Sequence, residues 1–256
     1  MLDRILERGI KMNYVLDVHT HTLTSGHAYS TIKEMAEAAS EKGLQLLGIT
    51  EHAPLMDGAP NWVYFSNLRV VPRQMYGVEL MLGVELNIID YDGHVDLDPA
   101  VMDRVDLRIA SLHDLCISSG SVEENTNATI KAIMNPRIDI IGHPDDGRFP
   151  MDLEKVVHYA KKYKTLLEVN NNSLKPGGSR VGADKNFREM LTYCKKLQVP
   201  VILNSDAHVF SDVGRRDFSI PVIEEMAFPE ELIVNRSVEA FKAAIADKRN
   251  TFLYKK

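Results

Sequence analysis

Seven short apolar runs, each stopping at a polar side chain, set the limits on what this chain can fold into. They are YVLDV (14–18), LQLLGIT (44–50), ELMLGVEL (79–86), DLRIASL (106–112), IDIIGH (138–143), TLLEVN (165–170) and VPVILNS (199–205). The runs are continuous rather than alternating, the pattern of strands buried on both faces of a parallel sheet. Helical patterns separate several of them. In 31–42, Ile32, Met35, Ala36 and Ala39 follow i, i+3, i+4, i+7. Thr31 and Glu34 are spaced for a capping box, and Gly43 sits where the helix should end. In 184–197, Asp184 can cap a helix whose apolar face is Phe187, Met190, Leu191, Cys194 and Leu197. Segments 121–134, 151–162 and 237–247 read similarly. This alternation predicts an α/β fold. Residues 52–66 read as irregular. Between Leu86 and Asp106 the text offers a hairpin-like Asp92-Gly93 and at most one helical turn. No linker, repeat or low-complexity tract divides the chain, so one domain is expected over 14–256, with 1–13 as an N-terminal extension.

The polar residues at the strand ends are not a random set. The first run leads into His19 and His21, with His27 close behind; the second leads into His52. The third ends at Glu85, the fourth at His113, the fifth at His143, and the seventh at Asp206 and His208. Seven of the nine histidines lie at or just beyond strand ends, leaving His94 and His158 elsewhere. One such histidine is usually a surface or capping residue. Repetition on six of seven strands is different, because parallel α/β proteins gather functional groups at the carboxyl ends of their strands.

H-x-H puts His19 and His21 on one side of an extended chain, together with Asp17. Two imidazoles so placed can hold one ion, with Asp17 a candidate partner for a ring N–H. D-x-H at 206–208 repeats the device. Nitrogen and oxygen donors without sulfur suit Zn, Mn or Fe better than Mg or Ca. His19, His21, His27, His52, Glu85, His113, His143, Asp206 and His208 are the candidate ligands. With Glu85 bridging, they offer about ten bonds, which saturates two ions but leaves open positions on three. Strands lie about 4.8 Å apart, so the edges of an open seven-stranded sheet would be roughly 29 Å apart. Ligands from six strands could not meet across it. A closed barrel solves the problem, and a distorted seven-stranded (β/α)7 barrel with the metal site at the C-terminal mouth of its strands is expected.

Composition removes some alternatives. The net charge of −6 advertises no basic surface for long nucleic acid, though bound ions could reverse the sign locally. Cys116 and Cys194 form no CxxC, which excludes a disulfide framework and a thiolate zinc site and suits a reducing cytoplasm. The first thirteen residues lack the apolar block of a signal peptide, and no run is long enough to span a membrane.

The motifs DVHTH, TEHAP, GVELN, SLH, GHP and NSDAH, in this order, resemble the PHP (polymerase and histidinol phosphatase) family, and most closely its YcdX-like stand-alone phosphatase branch. HAYST (27–31) and NLRVVPR (67–73) look like that branch as well. The resemblance runs from Tyr14 to about residue 247. It implies a distorted (β/α)7 barrel and phosphoesterase chemistry. It also implies a division of ligands: His19, His21, Glu85 and Asp206 for one ion, Glu85, His113 and His143 for a second, and His27, His52 and His208 for a third. A hydroxide bridging two ions is the expected nucleophile. Arg69, Arg73 and Arg180 are candidates for holding the phosphate, the alternative being a solubilising role. Asn170, Asn171 and Asn172 could bind substrate or cap the next turn. Trp62 could pack a lid or the core, and Cys116 reads as a small buried residue. The expected reaction is hydrolysis of a small phosphomonoester. Rivals are a PHP-type exonuclease acting on DNA ends, an amidohydrolase, and a metal-loaded regulatory module without catalysis.

Overall fold

The computed structural model describes residues 14–254; the extension 1–13 and the last two residues lie outside them. The strands are β1 (Leu16–Asp17), β2 (Leu46–His52), β3 (Gln74–Met75), β4 (Val78–Asn87), β5 (Arg108–Ser111), β6 (Ile140–Ile141), β7 (Leu166–Asn170) and β8 (Val201–Asn204). Seven of them pair in parallel in the order β1-β2-β4-β5-β6-β7-β8, and β3 adds antiparallel to β4. All seven predicted runs are strands of this sheet. β3 is an addition that a two-residue Gln-Met segment could not announce.

The sheet curls into a barrel whose one seam, between β1 and β8, is closed largely by side chains. Val18 N–H donates to Asn204 Oδ1 (3.0 Å), and Ser205 N–H donates to Asp17 Oδ1 (3.1 Å). Asn235 acts as a surrogate strand, its Nδ2 donating to Leu16 O (3.0 Å) and Leu203 O (2.6 Å) while its Oδ1 accepts from Leu203 N–H (2.7 Å). Near the mouth, Thr20 and Ala207 form a parallel bridge.

Alternation along each strand divides apolar from chemical side chains. Leu16, Leu46, Met81, Leu107, Ile109, Ile140, Leu166 and Ile202 share one buried cluster, which Phe241 and Ile245 of helix Val238–Phe252 plug from the amino end. Their in-between neighbours, such as Leu47, Leu80, Leu82, Leu167 and Leu203, join the larger cluster under the surrounding helices. Two residues further along the inner face stand Glu168 above Leu166, Asn204 above Ile202, and Glu85 four residues above Met81. Apolar packing therefore fills the lower barrel, and polar groups begin where it stops. Space on this face is tight. A Cβ on Gly83 would lie 2.4 Å from Leu107 O, and one on Gly48 2.6 Å from Val18 Cα.

Helices Ile32–Glu41, Val122–Met134, Leu153–Tyr163, Ala183–Leu197 and Val238–Phe252 occupy the predicted segments. The Thr31–Glu34 capping box forms, and Gly43 has a φ of 72°. Asp184 is not the cap expected of it. The helix begins at Ala183 behind left-handed Gly182, and Asp184 instead pairs with Arg188 one turn on. The irregular stretch 52–66 also holds the start of a short helix, Trp62–Asn67, whose first turn is capped by Asn61 Oδ1. The Asp92-Gly93 turn brings Ile88 and Val95 into an antiparallel bridge, as expected. No helix of the described residues is long and apolar enough to cross a membrane.

Candidate metal centre

The carboxyl ends of the strands bring all nine predicted ligands to one place. Glu85, 1% exposed, lies at its middle. Its Oε2 faces His52 Nδ1 (2.8 Å), His19 Nε2 (3.2 Å) and His21 Nε2 (3.5 Å). Its Oε1 faces His143 Nε2 (3.0 Å) and His113 Nε2 (3.3 Å), and accepts from Ser111 Oγ (2.6 Å). One carboxylate thus presents its two oxygens to two different sets of imidazoles. Asp206 Oδ1 lies 3.4 Å from His21 Nε2 and 3.7 Å from His19 Nε2. His27 meets His52 through their Nε2 atoms (3.2 Å), and its ring lies 5.0 Å from that of His208.

The orientation of these rings has identifiable causes. His19 Nδ1 donates to Glu168 Oε1 (2.7 Å), His113 Nδ1 to Asn87 Oδ1 (2.7 Å), and His208 Nδ1 to the backbone carbonyl of Asp206 (3.0 Å). His21 Nδ1 reaches Ser25 Oγ (3.2 Å), whose own hydroxyl proton goes to Glu51 Oε2 (2.6 Å). Each of these rings is fixed by one nitrogen and turns the other inward, as a metal-binding histidine requires. Two of the candidate ligands also have left-handed backbones uncommon outside glycine, His143 with a φ of 29° and Asp206 with 55°. Such strain collects at functional sites, where the surroundings hold it in place.

Electrostatics separates the imidazoles. Burial alone would depress His19, but Glu168, Glu85 and Asp206 override it and hold its pKa well above the usual value. Burial and the neighbouring His52 and His208 push His21 well down, and the same causes bring His27 to about 4. Burial works against ionisation of Glu85, yet His19, His113 and His52 keep its pKa well below the carboxylate range.

The donor set fits divalent ions. His19 Nε2, His21 Nε2, His52 Nδ1 and Glu85 Oε2 are buried and face one another without making a well-directed hydrogen bond. Leaving such atoms unmatched costs free energy, and a cation among them removes the cost. Ligand atoms lie within 4.8 Å of one another in three sets: His19, His21 and Glu85; His52, Glu85 and His113; and His21, His52 and His208. His52 belongs to two of them, so its ring stands between Glu85 and the His27 side of the cluster.

Several expectations change on the three-dimensional arrangement. Asp17 holds no imidazole. It accepts from Ser205 N–H and Oγ and from Gly214 N–H, because the open seam presents those donors to it. The acid on His19 is Glu168, which also accepts from His143 N–H, Asn170 Nδ2 and Asn204 Nδ2. A lone acid inside an apolar strand run was its only signal. A cavity of about 560 Å³ opens over the cluster, and its arginines are Arg148 and Arg180. Arg69 is exposed on the turn Leu68–Val70 and does not line it. Arg73 is bound to Asp106 (2.8 Å), which precedes β5 at the opposite end of the barrel. Asn170 caps Ser173 N–H, Asn171 accepts from Phe218 and Ser219 N–H, and Asn172 lines the cavity. Trp62 is exposed beside a separate cleft with Pro54 and Leu97, and Cys116 is only partly buried. His94 pairs with Asp90 on an exposed turn, and His158 is exposed on its helix.

Fold and site together define a parallel α/β barrel with a buried histidine–carboxylate cluster at its strand ends, of a composition that could hold metal ions. The chain belongs to the PHP domain family, whose pattern it matches over residues 17–175. It is 44% identical over 238 residues to a "probable phosphatase" of Acetivibrio thermocellus, covering 93% of this chain and 98% of that protein. It is 46% identical over 241 residues to another of Caldanaerobacter subterraneus subsp. tengcongensis, covering 94% of each. Among solved structures it resembles a histidinol phosphate phosphatase from Lactococcus lactis subsp. lactis complexed with zinc, L-histidinol and phosphate. The TM-score is 0.56 at 16% identity, over 84% of this chain and 95% of the other. A chain in archaeal ribonuclease P with mature tRNA gives 0.57 at 15% identity, over 94% of each. Likeness at that identity establishes the shared fold.

Proposed function

We propose that the protein is a metal-dependent phosphatase that hydrolyses small phosphomonoesters. The observation that carries this reading is the convergence around Glu85 of buried ligand atoms without a well-directed hydrogen bond, beneath a cavity that also holds arginine. The names of the two bacterial relatives point the same way. His19, His21, Glu85 and Asp206 would hold one ion, Glu85, His113 and His143 a second, and His27, His52 and His208 a third. The two-sided setting of Glu85 supports its role as the bridge. When bound, these ions, zinc or manganese by donor type, supply Lewis-acid charge for the phosphoryl group and a hydroxide nucleophile near neutral pH.

The chain's own residues do the rest. Glu168, Asn87, Ser25 and the Asp206 carbonyl hold the imidazoles in register, so little reorganisation is needed as charge develops. Arg148 is the substrate-facing cation. Buried Asp146 holds its Nε and Nη2, while Nη1 rests on Asp114, an exposed partner that an incoming phosphate can replace. The cavity is lined by Asp57 and Asp114 as well as by its two arginines, and no run of basic residues extends along its lining, which suits a small substrate over a nucleic-acid strand.

The test is an assay of zinc- and manganese-loaded protein against phosphomonoesters, single-stranded DNA and amides, with elemental analysis of protein purified without chelator. Phosphomonoester turnover lost to strong chelators, with more than two ions per chain, is expected. DNA degradation alone would favour the exonuclease, amide cleavage alone the amidohydrolase, and metal binding without turnover a regulatory module. Full activity with about one ion would overturn the trinuclear assignment.

A further inference from the structure

We infer that Arg180 is a positioning residue that fixes Asp206 so that a single carboxylate oxygen is offered to the metal centre, rather than a clamp on the substrate. The inference rests on the reading of the cluster as a metal centre and assigns a role within it. Arg180 belongs to a segment whose other residues from Lys175 to Gly182 are exposed, yet its own side chain is only 12% exposed. It turns back into the barrel mouth. Its Nη2 donates to Asp206 Oδ2 (2.9 Å), and its Nη1 to Asn170 Oδ1 (3.2 Å) and Ser173 Oγ (3.4 Å). Its Nε is buried and faces Asp146 Oδ2 at 3.9 Å. Both terminal nitrogens of the guanidinium are thus committed to the protein, while Nε has only the longer ionic contact with Asp146.

Asn170 Nδ2 donates to the same Asp206 Oδ2 (3.2 Å). One oxygen of Asp206 therefore has two donors, while Oδ1 points at the inward nitrogens of His19 and His21. The backbone gives this arrangement a purpose. Asp206 has a left-handed φ of 55°, a conformation uncommon outside glycine, asparagine and aspartate that persists where the surroundings determine it. Arg180 and Asn170 supply that determination from the side chain. Arg148 and Arg180 then divide the work, one edge of Arg148 being left for substrate while Arg180 serves the ligand.

The two possible roles of Arg180 predict opposite signs. A guanidinium beside a cation site repels the ion, so on charge alone its removal tightens metal binding. If its purpose is to orient Asp206, removal weakens binding. Zinc affinity of the full chain should be measured by chelator competition for wild type, Arg180→Met and Arg180→Lys, alongside kcat and KM for p-nitrophenyl phosphate. Positioning predicts 10- to 100-fold weaker zinc binding in Arg180→Met, the range found for losing a residue that orients a ligand. It also predicts partial rescue by Lys, and a fall in kcat with KM little changed. Equal or tighter zinc binding with a raised KM would overturn the inference and make Arg180 a clamp. Wild-type protein that binds no zinc or manganese would instead bring down the metal centre and, with it, this role. Thermal unfolding of the metal-free proteins checks folding, and if Arg180→Met does not fold, Arg180→Lys against wild type decides.

Discussion

His19 and Glu168 are fully buried, 149 residues apart in the chain, and joined by a 2.7 Å contact between Nδ1 and Oε1. The pair turns the other ring nitrogen of His19 toward Glu85 and Asp206. Glu168 also holds the backbone N–H of His143, so one acid orients the ring of His19 and fixes the main chain of His143.

Glu168→Gln keeps the shape but makes one carboxylate oxygen an amide donor, opposed to Asn204 Nδ2 or to His143 N–H and Asn170 Nδ2. Zinc affinity should fall 10- to 100-fold, with activity falling in step at limiting zinc. Chelator competition at fixed pH checks it. Unchanged affinity would mean that Glu168 only supports the barrel.

Much of this centre was legible in the sequence because the fold puts ligands beside strand ends, and strand ends are marked by where apolar runs stop. The ring-orienting acids were not. Glu168 and Glu51 sit within or at the end of β-branched runs, and only barrel closure shows that they face inward. Asp17 looked the better partner by spacing alone, but the β1–β8 seam claims it, and seam donors have no sequence signature. The arginines show the same limit. Arg148 and Arg180 lie in loops, where neither period nor capping reveals direction, and nothing in 67–73 signals that Arg69 stays outside the cavity.

Glu85→Gln should be the most damaging single change at the site. It removes the negative charge shared by two sets of imidazoles, and bound cations would then repel each other with less compensation. The barrel should still fold, with metal content reduced and turnover reduced at least 100-fold. Elemental analysis and circular dichroism on the same sample separate loss of metal from loss of structure. Wild-type metal content would exclude Glu85 as the bridge.

Arg148→Ala should raise KM for phosphomonoesters by about 10-fold, the order expected from losing a charge-assisted hydrogen bond to an oxyanion. Zinc affinity should change little, because Arg148 contacts no ligand side chain. Steady-state kinetics on zinc-saturated protein tests this, and an unaltered KM would leave the phosphate to the ions alone.

Lys248 predicts a pH dependence at the opposite end of the barrel. It is 1% exposed, and its Nζ donates to Ile133 O (3.0 Å) and Thr165 Oγ1 (2.6 Å). Burial brings its pKa to about 7, with Arg108 and Arg249 pushing the same way against Asp139. The depressed group is a base, so the sign runs opposite to that of a paired lysine. Between about pH 7 and the ordinary lysine value near 10.5, the unfolded chain binds a proton that the folded chain does not. Stability from this group therefore rises with pH across that window, by up to about 1.4 kcal/mol per unit, and is flat on either side. Lys248→Met removes the titration without stranding its partner, since Thr165 Oγ1 already donates to Ile133 O (3.1 Å). Urea unfolding of metal-free wild type and Lys248→Met at pH 7.5 and 9 should show the wild type gaining about 2 kcal/mol relative to the variant. Parallel behaviour of the two proteins would mean that Lys248 keeps its proton in the fold.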